Sequence, residues 1–562
     1  MAQPPPFLTV PREIRDLIYR EFLLIDAEDG YVYNPETGKL RTAKEQPIDL
    51  TPMYTCRQIA AEMVGAPLRL HTITFTTNDS RQAQRDAMKW EHIITHQWQA
   101  VQSSLDFVLP WTCGKTDSLT GMSDGDRALC GADQPFQSLF THQKIQRNII
   151  RHLMATNADI ENFFSTAHWT DNLSPSGPND PHDHDPLRFL NVGMEPWKIP
   201  TEDEMNCTIA SSAALLHVID KISNPIRTDS LQMGGDYDEP CKIRRFSAAA
   251  SAIHWFHSIP SSAREHVRNI LVHEDRASSA YPETHTQGLI SLCEQYPQMK
   301  VERRVDIWDA VWSFAGGGEP LQDTQPPVYD AEKRGRWATA LVAGWMNEAS
   351  ASPSNFTLVF KAYDCPERAE LVFHAFVQRD VAWQVAFEEA FKSKYDNSFD
   401  AFRAPPQEPY FGKKFPALVG SLGERSSRIR CNFDTGTAWT DAQLPEIPKV
   451  QNASEAMWVK MWLKKRTKNY RRGDVTLEAW GTAGLAHIFR LNHTLEDASL
   501  IQPRRWFDKE ALKWAKQWLG IKVRALPASP REVPVSENPA PPALQMSRFW
   551  ALSNTRWMND MW

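Results

Sequence analysis

Five places in the sequence have residue types and spacings that could do chemistry. Gly121-Met122-Ser123-Asp124-Gly125 fits the G-x-S-x-G pattern of a hydrolase nucleophile. Such a serine is exposed by a strained strand-to-helix turn, so an apolar strand must precede it. Here the preceding residues, 115–120, are a polar loop, and the match predicts no nucleophile. Gly114-Lys115-Thr116 has the ending of a phosphate loop, but Leu109 stands where the first glycine belongs. Without that glycine there is no turn of backbone N–H groups to cradle phosphate. His92 and His96 are four apart, which on a helix puts two imidazoles on one face, as zinc requires. Ile93 takes the place of the general-base glutamate, and no third ligand is placed by the sequence. Asp180, His182, Asp183, His184 and Asp185 offer nitrogen and oxygen donors for a divalent ion. Their loop, 171–186, has four prolines and few apolar groups, so ordering it around an ion costs entropy. No catalytic residue, cofactor or metal is expected, and the chain reads as a non-enzyme.

The fifth place is basic. Lys460, Lys464, Lys465, Arg466, Lys468, Arg471 and Arg472 fall within thirteen positions, interleaved with Trp462 and Tyr470. Such a segment suits nuclear import or nucleic acid. It also suits a solvated helix face whose other side packs Trp458 and Trp462. The global balance disfavours nucleic acid: Lys plus Arg is 62 and Asp plus Glu is 69, for a net charge of −7.

The elements that would position these groups follow from length and periodicity. The 562 residues, 42% of them hydrophobic, suffice for several domain-sized units. Eight cysteines, no two closer than 17 positions, give no C-x-x-C pair. With no basic-then-apolar leader and no run of about 20 apolar residues, the expected location is cytoplasmic or nuclear, with free thiols and no membrane. The sequon Asn355-Phe356-Thr357 is accordingly expected to stay unmodified.

Helices are expected at 10–24, 52–64, 81–107, 142–165, 247–259, 285–297, 366–392, 453–466 and 508–519. In the first, Ile14, Leu17, Ile18 and Leu24 make an apolar stripe; in the seventh, Val372, Phe376, Trp383, Phe387 and Phe391 turn inward. Strands are expected at 69–77, 267–275, 299–308, 355–363 and 428–433, with a strand–turn–strand at 30–41. A strand, a helix and a strand within 267–308 predict a right-handed crossover between parallel strands. The fold class is therefore helix-rich α/β.

Two strings carry a resemblance. VPREIRDLIYREFL at 10–23 and TCRQIAAEM at 55–63 resemble the two halves of an F-box. Val10, Pro11, Glu13, Ile14, Ile18 and Leu23 match the opening, and Cys56 with Arg57 matches the Cys-Arg pair of the later helix. The sequence departs from that pattern in the insertion at 30–41 and in Ile59, which stands near the place of a usual tryptophan. Together with HTITF at 71–75 and stretches at 273–305, 355–387 and 428–436, the strings are similar to a group of filamentous-fungal F-box-like proteins. The resemblance implies an F-box-like helical N-terminus and an irregular, leucine-rich-repeat-like α/β body. It also implies a protein partner, a Skp-type adaptor of a cullin–RING ubiquitin ligase. The expected segments are an F-box-like module at 1–80 and an α/β body at 81–315. A second α/β-to-helical region at 331–525, a Pro-rich linker at 526–545 and an aromatic tail at 546–562 follow. The function expected is protein–protein interaction. The alternatives are a nuclear factor acting through 460–472 and an accessory protein or enzyme of other chemistry.

Overall fold

The computed structural model describes residues 6–26, 29–101 (except 88, 92, 95, 96, 99 and 100), 139–156, 195–205, 244–312, 331–363, 366–390, 411–439 (except 413, 425, 426 and 438) and 457–458. Helix α1, Arg12–Asp26, begins just after Pro11, whose carbonyl accepts from the Ile14 and Arg15 amides at 3.1 Å each. A proline here sacrifices no hydrogen bond. Gly30, at φ +79°, turns the chain into β1; a Cβ there would lie 2.5 Å from the Thr72 carbonyl oxygen. Strands β1, Tyr31–Asn34, and β2, Lys39–Thr42, form the expected hairpin. Its turn is held by the Asn34 side-chain oxygen, which accepts from the Glu36 and Thr37 amides at 3.0 Å each. The helix expected at 52–64 is broken: a 3-10 turn at Thr51–Tyr54 precedes α2, Arg57–Met63. Helix α3, Ala66–Leu70, then takes the first residues of the expected strand, so β3 spans Thr72–Thr76.

Residues 81–101 are helical at their described positions, and α4 spans Leu139–Thr156. Helix α5, Ala248–Ser258, the short α6, Ser261–Arg264, β4, Asn269–Glu274, α7, Thr286–Gln295, and β5, Lys300–Asp306, follow. Helix α8, Ala331–Ser350, has no counterpart among the sequence expectations and leads to β6, Phe356–Lys361. The helix expected at 366–392 is α9, Pro366–Val372, a π-helical stretch at Phe373–Gln378, and α10, Arg379–Ala390. Helix α11, Phe415–Gly420, precedes β7, Ile429–Cys431.

The strands make one seven-stranded sheet of order β2-β1-β3-β4-β5-β6-β7, parallel except for the β1–β2 hairpin. The fold is mixed α/β, as expected, with the β4–α7–β5 crossover in its predicted place. The sheet draws strands from all three segments, 1–80, 81–315 and 331–525. From β3 to β7 each strand is added beside the last, in one direction. Right-handed crossovers then put their helices on one face. Burial agrees: the main core holds Ile73, Phe75, Ile270, Val272, Val301, Val305, Phe356, Leu358 and Phe360, all from one face, packed with Ile253, Leu289, Val342, Trp345 and Trp383 of the helices. The opposite face carries Thr74, Leu271, Glu302 and Thr357 in one register row and Thr76, His273, Arg304, Val359 and Arg430 in the next. None of these joins that core. The one reversal of order among the described strands is at β1, where the chain adds antiparallel β2 on one side and then parallel β3 on the other.

One charged network crosses the core. The Glu274 carboxylate accepts from the Ala248 and Ala249 amides at the start of α5, at 2.9 and 3.2 Å. It also accepts from Arg303 at 3.0 and 2.5 Å. The Arg303 guanidinium donates further to Thr286 Oγ1 and the Pro282 carbonyl, both at 2.8 Å, and lies 4.3 Å over the Trp345 ring. A carboxylate at a helix start and a guanidinium bonded through all three nitrogens are the conditions under which buried charges are tolerated. The sequon Asn355 is engaged too, donating to the Cys293 and Met299 carbonyls at 3.0 and 2.7 Å.

Candidate functional site

The N-terminal helices put a charged contact inside and apolar side chains outside. On α1 the inward positions are Arg15, Tyr19 and Leu23, one turn apart, all buried. They pack on Ile59 and Met63 of α2, with Phe7, Leu8, Met53 and Cys56 at the margin. Arg15 grips Glu62 of α2 with two nitrogens, at 3.0 and 2.5 Å, and also donates to the Leu8 and Val10 carbonyls. The Tyr19 hydroxyl donates to Glu62 at 2.8 Å and Gln58 adds a bond at 3.0 Å. Hydrogen bonding from Arg15 holds the Glu62 carboxyl at about 2, and burial beside Glu62 pushes the Tyr19 phenol to about 12. The outward positions of α1 are Ile14, Leu17 and Ile18, at 45%, 54% and 44% exposure, with Ile25 at 82%.

Because Glu62 is held below an ordinary carboxylate, its charge stabilises the folded chain above about pH 4.5, and that contribution fades as pH falls toward 2. The thermal-stability gap between wild type and Glu62→Gln should therefore be widest at neutral pH and close over that window. A gap that stays constant from pH 7 to pH 2.5 would show that the carboxylate does not anchor α1.

The residues chosen from the sequence divide between the two sides of this module. Leu23 is buried, while Val10 and Cys56 are half-buried; Cys56 is a free thiol at the N-cap of α2. Pro11, Glu13, Ile14, Ile18 and Arg57 are exposed. The insertion at 30–41 becomes the edge of the body sheet, since β1 pairs in parallel with β3. The two motif halves are thereby tied to the body. Gly65, at φ +68°, lies against the His266 ring, and Arg69 bonds that ring at 3.0 Å. Sequence reasoning missed Arg15, Tyr19 and Glu62. The spacing of Arg15, Tyr19 and Leu23 was visible, but a charge at the first position hid the buried face.

Most of the other candidates lie outside the described residues: the serine and phosphate-loop patterns, His92, His96, the cluster at 180–185, and Lys460, Lys464, Lys465, Arg466, Lys468, Arg471 and Arg472. The Pro-rich linker, the aromatic tail, Phe391 and the side chain of Val372 share that status. Trp458, just before the basic segment, is fully buried against Trp383 and Phe387. Phe376, Trp383 and Phe387 turn inward as expected.

The loop from β4 to α7 brings together groups that resemble a hydrolytic pair. Ser247 Oγ lies 2.6 Å from His285 Nδ1, and His285 Nε2 donates to the Ala280 carbonyl at 2.8 Å. Burial pushes the His285 imidazole down to about 3, so it is neutral, accepting from Ser247 and donating to Ala280. Both side chains are within 1% of complete burial, and Ser247 Oγ also caps α5 by accepting from the Ala250 amide. The pair holds Ala280 and Tyr281 at φ 60° and 58°, with Trp98 stacked on Tyr281 at 3.9 Å. Such left-handed positions are strained for residues with a Cβ and need support. The hydrogen bonds shown here are structural: Ser247 caps α5 and His285 ties the loop carbonyl of Ala280 to it. Among the described residues no group of histidines, cysteines and carboxylates is placed to hold a metal.

On the opposite sheet face, toward the C-terminal strand ends, exposed and buried polar groups gather. Asp275 accepts from the Thr77 amide and hydroxyl at 3.0 and 2.7 Å, and Asp79 receives Arg245 and Arg276. His273 and the half-exposed Tyr363 meet at 2.8 Å across β5. Arg304 pairs with Glu302 at 2.5 Å. Burial raises the Asp306 carboxyl to about 7. No described helix is long and apolar enough to cross a membrane. No family model, curated protein or solved structure matches the chain.

Proposed function

We propose that the chain is a non-enzymatic protein-interaction factor. In this reading α1 docks a Skp-type adaptor and the body recruits a second protein, as the substrate-recruiting subunit of a cullin–RING ubiquitin ligase does. The observation that carries it is a second apolar face on α1, exposed at Ile14, Leu17 and Ile18 while Tyr19 and Leu23 are buried on the other. Burial ordinarily takes the apolar side of an amphipathic helix. Here a hydrogen-bonded Arg15–Glu62 pair is kept inside while Ile14, Leu17 and Ile18 are left in solvent. An apolar patch presented on a helix anchored this firmly has the character of a docking surface. The one-directional order of β3 to β7 supports the leucine-rich-repeat-like reading of the body.

The test mixes the full chain with a purified Skp-type adaptor and follows both by size-exclusion chromatography. Co-elution as a stoichiometric complex is the expected result. If the two always elute apart at micromolar concentration, adaptor docking is wrong and the resemblance at 10–63 carries no such role.

A further inference from the structure

The chain carries a net charge of −7, yet the sheet face turned away from the helices is basic. The register places Lys39, Arg41, Lys300, Arg304, Lys361 and Arg430 on that face, against two strand carboxylates, Glu302 and Asp306; at its margins Glu45 pairs with Arg41 at 3.5 Å and Asp275 lies 3.9 Å from Arg276, so Lys39, Lys300, Lys361 and Arg430 carry the excess charge. Glu302 is taken by Arg304. Asp306 turns its oxygen to the Trp308 and Asp309 amides, at 2.7 and 3.0 Å, and is raised toward neutrality by burial. Lys39, Lys300 and Arg430 are exposed, and neither lysine has an ion pair among the described residues. Parallel strands stand about 4.8 Å apart. Lys300, Lys361 and Arg430 therefore lie on three adjacent strands, within reach of one extended peptide crossing β5, β6 and β7. Thr74 and Thr357, in the row between Lys300 and Arg304, add hydroxyls.

We infer that this face binds an acidic segment of a partner protein. The occupant follows from charge complementarity, which sets specificity and encounter rate more than affinity. A short acidic peptide senses only charges within about 10 Å, and there the balance is positive. A nucleic acid, with a phosphate charge every few ångströms over a long reach, meets the acidic remainder of the chain and the carboxylates among the basic rows. The inference rests on the reading of the chain as an interaction factor, and it does not depend on adaptor docking.

The test measures binding of fluorescein-labelled polyglutamate to the full chain by anisotropy. Reversal of the face with Lys300→Glu, Lys361→Glu and Arg430→Glu should weaken binding about tenfold or more, by loss and inversion of complementary charge. The same change of net charge at exposed helix-side positions, Arg81→Glu, Arg85→Glu and Lys414→Glu, should weaken it less than about twofold, since distant surface charges are screened. The milder set Lys300→Gln, Lys361→Gln and Arg430→Gln covers the case in which reversal disturbs folding, and thermal unfolding of each variant reports that directly. Equal weakening by both charge reversals overturns the inference, because binding would then follow net charge alone. So does loss of binding on changing Lys464, Lys465, Arg466, Arg471 and Arg472 to Gln, or tighter binding of a labelled single-stranded oligonucleotide than of polyglutamate. Failure of the peptide to bind while the adaptor still co-elutes sinks this inference and leaves the adaptor reading standing. Peptide binding on this face without adaptor co-elution supports it alone.

Discussion

Arg303→Ala is expected to lower the free energy of unfolding by about 3–5 kcal/mol, the range for breaking a buried ion pair from one side. The side chain is fully buried and ties four elements together through Glu274, Thr286 and the Pro282 carbonyl, with Trp345 of α8 stacked beneath it. Its removal leaves Glu274 charged in the core, facing only the first amides of α5. Arg303→Met restores most of the lost volume but not the charge, so it should remain destabilising. Pairing it with Glu274→Gln removes the stranded charge while an oxygen still accepts from α5. That double variant should be less destabilised than the sum of its singles, as coupled neighbours are. Denaturant unfolding of the set measures this; an Arg303→Ala cost below about 1 kcal/mol would mean the network is incidental.

Trp458→Ala is expected to cost about 3–5 kcal/mol, the usual penalty for deleting a large buried aromatic ring. Trp458 has no exposed surface, meets Trp383 edge-on at 6.0 Å and Phe387 at 6.1 Å, and so belongs to the same core as the sheet. Its position fixes one end of the segment that runs on into Lys460 and Lys464. A loss under about 1 kcal/mol in unfolding experiments would show that this end is not anchored.

The strands were legible because their alternation is simple. In β4, Ile270, Val272 and Glu274 share a face; in β5, Val301, Arg303 and Val305 do. Parity alone therefore placed Glu274 and Arg303 inside, but their charge argued the other way, and only pairing across adjacent strands resolves the conflict. The neighbour of β3 was not legible. It is β4, nearly two hundred residues on, and no local pattern records a contact at that separation. Helix α8 escaped notice because it contains Gly335 and Gly344, which weaken a helical signal. Gly344 serves close packing: a Cβ there would stand 3.1 Å from Glu283 Cγ. The outward stripe on α1 was legible as apolar spacing. That it faces solvent depended on Glu62, forty-seven residues from Arg15, which sequence proximity does not reveal.

The central claim is that Ile14 and Ile18 face outward to meet an adaptor. The most direct measurement compares the full chain with its Ile14→Asp, Ile18→Asp variant for binding to a Skp-type adaptor by titration calorimetry, with thermal unfolding measured alongside. Both side chains are about half exposed, so the variant should unfold within a few degrees of the wild type. The account predicts measurable binding by the wild type and none by the folded variant. Equal binding by the two, or a variant that fails to fold because these isoleucines are core after all, would contradict it.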